Sequence, residues 1–423
     1  MVATIVKAFT VPEIRKKVAF TAALLALYRL GSHIPVPGVN GDAVKAIQKN
    51  FANDSILGFL NLFSGGGLQR IALFALTVMP YITASIILQL LTVVVPALDK
   101  LQKEGEVGQA RITQYTRYLT VALAGAQSIG YVFLFRSFGQ QAGEDVVKSF
   151  TFGRVFLIVV CLTAGTVLLM WMGELITQRG IGNGISLLIL ASIVSRLPQG
   201  VQAWWTNPDQ VFKVMIPFLA IAVVAAVVFI QEGQRRIPVQ YAKRVIGRRM
   251  TGGGQTYLPL RVNMAGVIPV IFAASIMAFP PTVGRLIQQP WAQDVANFFS
   301  PNDWAYIAGE SIFIVLFTYF YTAVTFNPVD QADNLRKYGG FIPGVRPGRP
   351  TAEFLDRILA RLTFPGALYL AAVAALPTIL INQTSANFYF GGTSLLIVVG
   401  VALDTMKQLE AQLMMRNYEG FLK

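Results

Sequence analysis

Ten runs of mainly apolar residues recur along the chain, at 18–34, 71–95, 118–135, 155–172, 182–197, 214–230, 265–283, 307–326, 362–381 and 393–409. A helix needs about 20 such residues to cross the hydrocarbon core of a bilayer. Inside lipid the backbone must satisfy its own hydrogen bonds, which a helix does. The pattern predicts an all-α polytopic membrane protein of about ten transmembrane helices. One apolar stretch, Ile56-Leu57-Gly58-Phe59-Leu60-Asn61-Leu62-Phe63, is too short to span, and Ser64-Gly65-Gly66-Gly67 breaks it before the second run. It is expected to be a re-entrant or plugging element, a helix lying on the outer membrane surface being the alternative.

The runs repeat one another in pairs. Met79-Pro80-Tyr81-Ile82-Thr83-Ala84 in the second matches Ile268-Pro269-Val270-Ile271-Phe272-Ala273 in the seventh. Gly184-Ile185-Ser186-Leu187-Leu188-Ile189 in the fifth matches Gly392-Thr393-Ser394-Leu395-Leu396-Ile397 in the tenth. The pairing implies two five-span halves. Five is odd, so the second half crosses the membrane in the opposite sense, and functional sites in such inverted repeats lie between the halves near the midplane. If the halves face one another, Ile82, Ile189, Ile271 and Ile397 converge on the axis. A ring of branched apolar side chains excludes ions by dewetting yet yields to a bulky chain. Pro80 and Pro269 each remove a backbone donor beside it.

Composition agrees and adds orientation. Hydrophobic residues make up 54% of the 423, and charged residues 13% against about 25% in soluble domains; mean hydropathy is +0.56. The net charge is nevertheless +14, from 35 Lys and Arg against 21 Asp and Glu. With both termini placed in the cytoplasm, the cations divide 24 to 9 in favour of the cytoplasmic side, as the positive-inside rule requires. Lys7, Arg15, Lys16 and Lys17 precede the first run like a signal-peptide n-region, but no small-residue cleavage pattern follows Tyr28-Arg29-Leu30, so the first span is read as uncleaved. The expected organisation is a cytoplasmic segment 1–17, a half 18–200 including the plugging segment 56–70, a half 201–409, and a tail 410–423.

Two cytoplasmic loops, 231–262 and 327–361, carry more cations than orientation needs. The first holds Arg235, Arg236, Lys243, Arg244, Arg248 and Arg249. In the second, Phe341-Ile342-Pro343-Gly344-Val345-Arg346-Pro347-Gly348-Arg349-Pro350 holds Arg346 and Arg349 on a restricted tip suited to an acidic protein or to RNA.

Enzymatic classes are disfavoured. The chain has one cysteine, Cys161, and one histidine, His33, so the usual zinc sets are unavailable and triad chemistry would have to use His33. There is no phosphate loop of the G-x-x-x-x-G-K-[ST] type. No catalytic residue, metal or cofactor is expected, and any work is driven by a partner or a gradient. Ion-coupled carriers need ionisable groups near the midplane, whereas here mid-span polarity is limited to groups such as Thr83, Ser85, Gln89 and Gln127. A neutral, apolar-ringed path favours a polypeptide conduit; an inverted-repeat secondary transporter of small solutes is the alternative.

The stretches Phe74-Ala75-Leu76-Thr77-Val78-Met79-Pro80-Tyr81-Ile82-Thr83-Ala84, Ile176-Thr177-Gln178-Arg179-Gly180-Ile181-Gly182-Asn183-Gly184-Ile185-Ser186 and Phe341 to Gly348 resemble the SecY family of bacterial translocase subunits. Gly233 to Pro238 and Phe390 to Ile397 add to the match, whose motifs follow the family order along essentially the whole chain. The resemblance implies a gated protein-conducting channel of the cytoplasmic membrane, ten helices in two inverted halves. It passes secretory polypeptides across and releases transmembrane segments sideways into lipid. It carries over a pore ring of Ile82, Ile189, Ile271 and Ile397 with Val78, Ile185 and Ile268 as neighbours, and a plug over 56–70. A lateral gate is implied at spans two, three, seven and eight, with Thr83, Ser85, Gln89, Gln127, Ala273 and Ser275 at the seam. The basic loops become the docking face for the ribosome or the SecA ATPase. SecE and SecG are implied partners, as are signal sequences, nascent chains, membrane lipid, SecDF and YidC. Arg349-Pro350 departs from the pattern, in which an acidic residue is expected after the turn.

Overall fold

Proline opens several of the helices, where its missing N–H costs nothing and its fixed φ suits the first turn. The computed structural model describes residues 11–41, 44, 61, 63–142, 146–147, 150–206, 210–241, 244–246, 249–251, 255–277, 280, 289–299, 303–384 and 392–421. Helix α1 (Pro12–Gly31) is followed by α2 (Met79–Val94), α3 (Pro96–Lys103), α4 (Glu106–Ala142), α5 (Phe152–Arg179), α6 (Gly184–Val194), α7 (Leu197–Thr206) and α8 (Gln210–Glu232). Strands β1 (Gln234–Tyr241), β2 (Arg244–Ile246), β3 (Arg249–Thr251) and β4 (Gln255–Arg261) come next. Then follow α9 (Ile268–Met277), α10 (Pro290–Phe298), α11 (Trp304–Thr325), α12 (Pro328–Lys337), β5 (Gly340–Phe341), α13 (Arg349–Thr384) and α14 (Gly392–Phe421).

Each of the ten predicted spans falls on a helix. Among the described residues, six helical stretches are long and apolar enough to cross a membrane, and a seventh is the pair α2 and α3, bent by 99° where Val95 meets Pro96. The other three spans fall on α1, which begins among Lys and Arg, on α9, and on α14, which carries Asp404 and Lys407.

The second span departs from its prediction. Its sequence is apolar from Ile71, yet the helix starts at Met79. The residues before it form successive turns whose backbone bonds go to the loop after α1: the Val36 N–H donates to Ile71 O at 3.0 Å, and the Leu73 N–H to Ile34 O at 2.9 Å. Ile71 (φ 48°) and Thr77 (φ 59°) occupy the left-handed region, which stops a helix from extending back from Pro80.

The basic loops add a small sheet to the helical fold. β1 pairs with β4 in antiparallel register from Gln234↔Arg261 to Gln240↔Gln255, and β5 adds to β1 at Gln240↔Phe341 and Tyr241↔Gly340. The two loops are thus joined in one sheet of order β4-β1-β5. Alternation turns Ile237 and Val239 inward, where they pack with Leu260, Ile342 and Leu355 while Arg235 and Arg236 stay exposed. Pro238 is tolerated because β5 covers β1 only beyond it.

The sheet marks one face of the bundle. On that side Lys407 of α14 pairs with Glu232 at the end of α8, 2.8 Å apart. Ile14 of α1, Leu409 of α14 and Ile181 after α5 share a small cluster there too.

Candidate functional site

The paired motifs occupy matching places in their helices. Met79-Pro80 opens α2 and Ile268-Pro269 opens α9, so Ile82 and Ile271 are each the fourth helical residue. Gly184 opens α6, so Ile189 is its sixth residue, and Ile397 lies on α14 five residues after Gly392. α2 and α9 touch where the Ser275 hydroxyl of α9 reaches the Met79 sulfur at the start of α2, at 3.5 Å.

These placements gather the four isoleucines. Ile82, Ile189, Ile271 and Ile397 lie in one buried cluster with Val78, and Ile185 and Ile268 pack against it. Phe272, next to Ile271, meets Phe317 and Tyr321 of α11 edge-on, which backs that side of the cluster with aromatic rings.

A cavity of about 350 Å³ opens above the cluster. Ile82, Ile189 and Ile271 line it, as do Ile185, Ile268 and two predicted gate residues, Ser85 and Gln89. Ile397 and Val78 belong to the cluster and not to the lining. Of the other gate candidates, Ala273 and Ser275 are buried on α9, and Thr83 turns its hydroxyl back to Met79 O at 3.0 Å. Gln127 is half-buried on α4, away from the cavity lining.

The opposite end of the cluster meets the glycine turn. Phe63 is buried among the same residues as the isoleucines. Behind it the Ser64 hydroxyl donates to Asn61 O at 3.0 Å and accepts from the Leu68 N–H at 3.0 Å. Arg29 donates to Gly65 O at 2.7 Å, tying the turn to the end of α1. Gly65 and Gly66 have φ of 58° and 91°, values that favour glycine. A Cβ on Gly65 would also press on Ser195, Ser192 and Tyr28, and one on Gly66 on Arg196. Ile56, Leu57, Phe59, Leu60 and Leu62 lie outside the described residues.

At the sheet face, Arg346 and Arg349 are exposed. Gly344 (φ 82°) and Gly348 (φ 101°) turn the backbone on either side of Arg346. The Thr351 hydroxyl closes the turn on Arg346 O at 2.8 Å. Arg349 donates to Glu353 at 3.2 Å, so an acidic partner is present one turn later on α13. Arg244 and Arg249 fall on the paired strands β2 and β3, while Lys243 and Arg248 lie outside the described residues. On α3 the Lys103 ammonium is held above its usual range by its hydrogen bond to Asp99, with Asp330 of α12 adding to the effect.

One feature of the cavity was not among the candidates. Arg117 of α4 and Glu174 of α5 form a two-pronged ion pair on its wall, Nε to Oε1 at 3.0 Å and Nη2 to Oε2 at 2.6 Å. The sequence holds the signal: Arg117 sits just before the third apolar run and Glu174 just after the fourth, so antiparallel neighbours put both charges at one depth.

Comparison with known proteins agrees with this architecture. The SecY family profile matches residues 72–406. Protein translocase subunit SecY of Streptomyces galbus is 49% identical over 442 residues, and that of Mycobacterium tuberculosis strain H37Rv 47% over 441, each covering 100% of both chains. Among solved structures, a protein-conducting channel aligns with a TM-score of 0.64 at 20% identity, covering 93% of this chain and 91% of that one. The Sec61 channel of a canine ribosome–channel complex aligns at 0.61 and 18%, with the same coverage. The chain therefore belongs to the SecY family, the membrane-embedded channel subunits of the protein translocase, which conduct polypeptide and are not enzymes.

Proposed function

We propose that the cavity, the isoleucine cluster and the glycine turn form one path for an unfolded secretory polypeptide. The chain enters from the cytoplasmic sheet face, passes through a ring of Ile82, Ile189, Ile271 and Ile397, and displaces the segment that ends at Phe63. The observation that carries this reading is the shared burial of Phe63 with all four isoleucines below a cavity lined by three of them. A buried cluster of apolar side chains holds water poorly, so ions are refused without any charged barrier.

The contact between Met79 and Ser275 supports a seam between α2 and α9 that parts sideways for signal sequences and transmembrane segments. The exposed Arg235, Arg236 and Arg346, joined through one sheet, support a docking face for the ribosome or the SecA ATPase. The canine neighbour was solved with a ribosome. SecE, SecG, SecDF and YidC are assigned as partners on family grounds, in a cytoplasmic membrane with both termini inside. Ion-coupled solute transport is the weaker reading, because the one carboxylate in the described lining, Glu174, stands at the edge of its apolar run and not near the midplane.

Cysteines at Ile82 and Ile271 test the path. Each should crosslink to a secretory chain stalled in transit through the SecE-containing complex. A trapped chain that reaches neither position while control sites react would sink the reading.

A further inference from the structure

The cavity above the ring is nearly neutral by composition. Its described lining is isoleucine, aromatic, hydroxyl and amide, and Arg117 and Glu174 are the only charged side chains in it. Ile185, Ile189, Ile268 and Ile271 supply apolar lining beside this single ion pair. Such a lining suits a ligand that is itself an apolar segment with a charge at one end.

The two partners of the pair are unequally held. The Glu174 side chain is 13% exposed and that of Arg117 38%. Arg117 already has a second acceptor on its own helix, Gln114, 3.1 Å from Nη1. The guanidinium can therefore swing toward water and keep one hydrogen bond, while the carboxylate stays on the wall. A second cation that arrives can take its place without leaving a buried charge unpaired, which would be the costly alternative. The sign matters because the cytoplasmic loops are rich in Lys and Arg, and in the described cavity lining Glu174 is the one acid that a positive flank can meet.

We propose that Glu174 is a specificity-determining residue: it receives the cationic flank that precedes the apolar segment of an entering chain, by exchange with Arg117. This rests on the polypeptide-path reading and names the substrate feature that the path recognises. The exchange needs no covalent step. Arg117 is released to Gln114 and water, and an incoming Lys or Arg closes the pair on Glu174.

The test uses the full channel complex in inverted membrane vesicles and a precursor with lysines before its apolar signal helix, paired with the same precursor carrying glutamines there. Wild-type channel should favour the lysine precursor by about fivefold, the size expected of one half-exposed ion pair. Glu174→Gln should bring that ratio to about one, whereas Arg117→Gln, which leaves the acid free, should keep or widen it. A ratio unchanged by Glu174→Gln overturns the inference. Equal loss of preference in both single variants, restored by the exchanged pair Arg117→Glu with Glu174→Arg, also overturns it, since the pair would then only tie α4 to α5. If Glu174→Gln does not accumulate, the double variant Arg117→Gln with Glu174→Gln takes its place, with a ratio of one again expected. Crosslinking of the precursor at Ile82 separates the two readings: crosslinks that persist without Glu174-dependent preference leave the path standing, and their absence in wild type removes the path itself.

Discussion

Ser275 of α9 donates its hydroxyl to the sulfur of Met79 on α2, so the second half of the chain touches the first at the opening residue of the proposed gate helix. Its single proton lies chiefly on Ile271 O, 2.7 Å away within its own helix, so the bond to sulfur is the weaker arm of a fork. A contact of this weakness can be made and broken at little cost. Replacing both residues by cysteine and bridging them with a disulfide-containing bis-maleimide, which replaces the reach of the methionine side chain, should tie the seam shut in the resting channel. Bridged channel is expected to lose export of signal-bearing precursors and to regain it on adding reductant, as measured by protease protection. Export that continues with the bridge formed would show that this seam does not open.

The isoleucine cluster makes a separate prediction about ions. Ile271→Asn or Ile82→Asn puts an amide where dewetting is required, and leak conductance in planar bilayers should rise well above wild type. Ile271→Val is the control, since removing one buried methylene costs about 1 kcal/mol and leaves the surface apolar. Its conductance should match the parent.

How far the sequence foretells the site can be judged from these residues. Ile82 and Ile271 are legible as a pair because α2 and α9 begin at equivalent dipeptides with proline second, and a local motif fixes a helix start; Ile189 and Ile397 are legible from the repeated G-x-S-L-L-I alone. The start of α2 at Met79 is not legible. The residues from Ile71 to Val78 are as apolar as those after them, and what keeps them from joining the helix is hydrogen bonding to Ile34 and Val36, a tertiary effect. The hairpin in the first basic loop is half legible: Arg236-Ile237-Pro238-Val239 alternates inward and outward, but its proline argues against a strand until the partner edge is known. Arg117 and Glu174 read singly as span-edge charges and become a pair only when adjacent spans are aligned by depth.

Two glycines in the helices should respond oppositely to the same substitution. Gly184, at the start of α6, lies so close to α5 that a Cβ would sit 1.9 Å from Gly173 O and 2.8 Å from its carbonyl carbon. Backbone cannot rotate away as a side chain does, so Gly184→Ala should destabilise by about 1–3 kcal/mol. Gly125 of α4 has nothing within 4 Å of the same point. There, Gly125→Ala only removes backbone freedom and should stabilise by about 0.5–1 kcal/mol. Thermal unfolding in one detergent, followed by size-exclusion fluorescence, should place the two midpoints on either side of the parent.

The buried bond between Tyr28 of α1 and Ser192 of α6 gives an ordered pair of losses. The Ser192 hydroxyl donates to Leu188 O at 2.8 Å, so the Tyr28 hydroxyl is the donor to Ser192 Oγ. Tyr28→Phe leaves Ser192 with its own donor bond intact and should cost about 1 kcal/mol. Ser192→Ala instead leaves the Tyr28 hydroxyl, on a side chain only 1% exposed, with no acceptor, and should cost about 1–3 kcal/mol. Because Gly65 packs on this same pair, the larger loss should also loosen the turn that follows the proposed plug. Deuterium labelling of the bonded amides of Gly66 and Gly67 is then faster in Ser192→Ala than in Tyr28→Phe. The reverse order of stabilities, or equal labelling, would mean that α1 and α6 are held by packing alone.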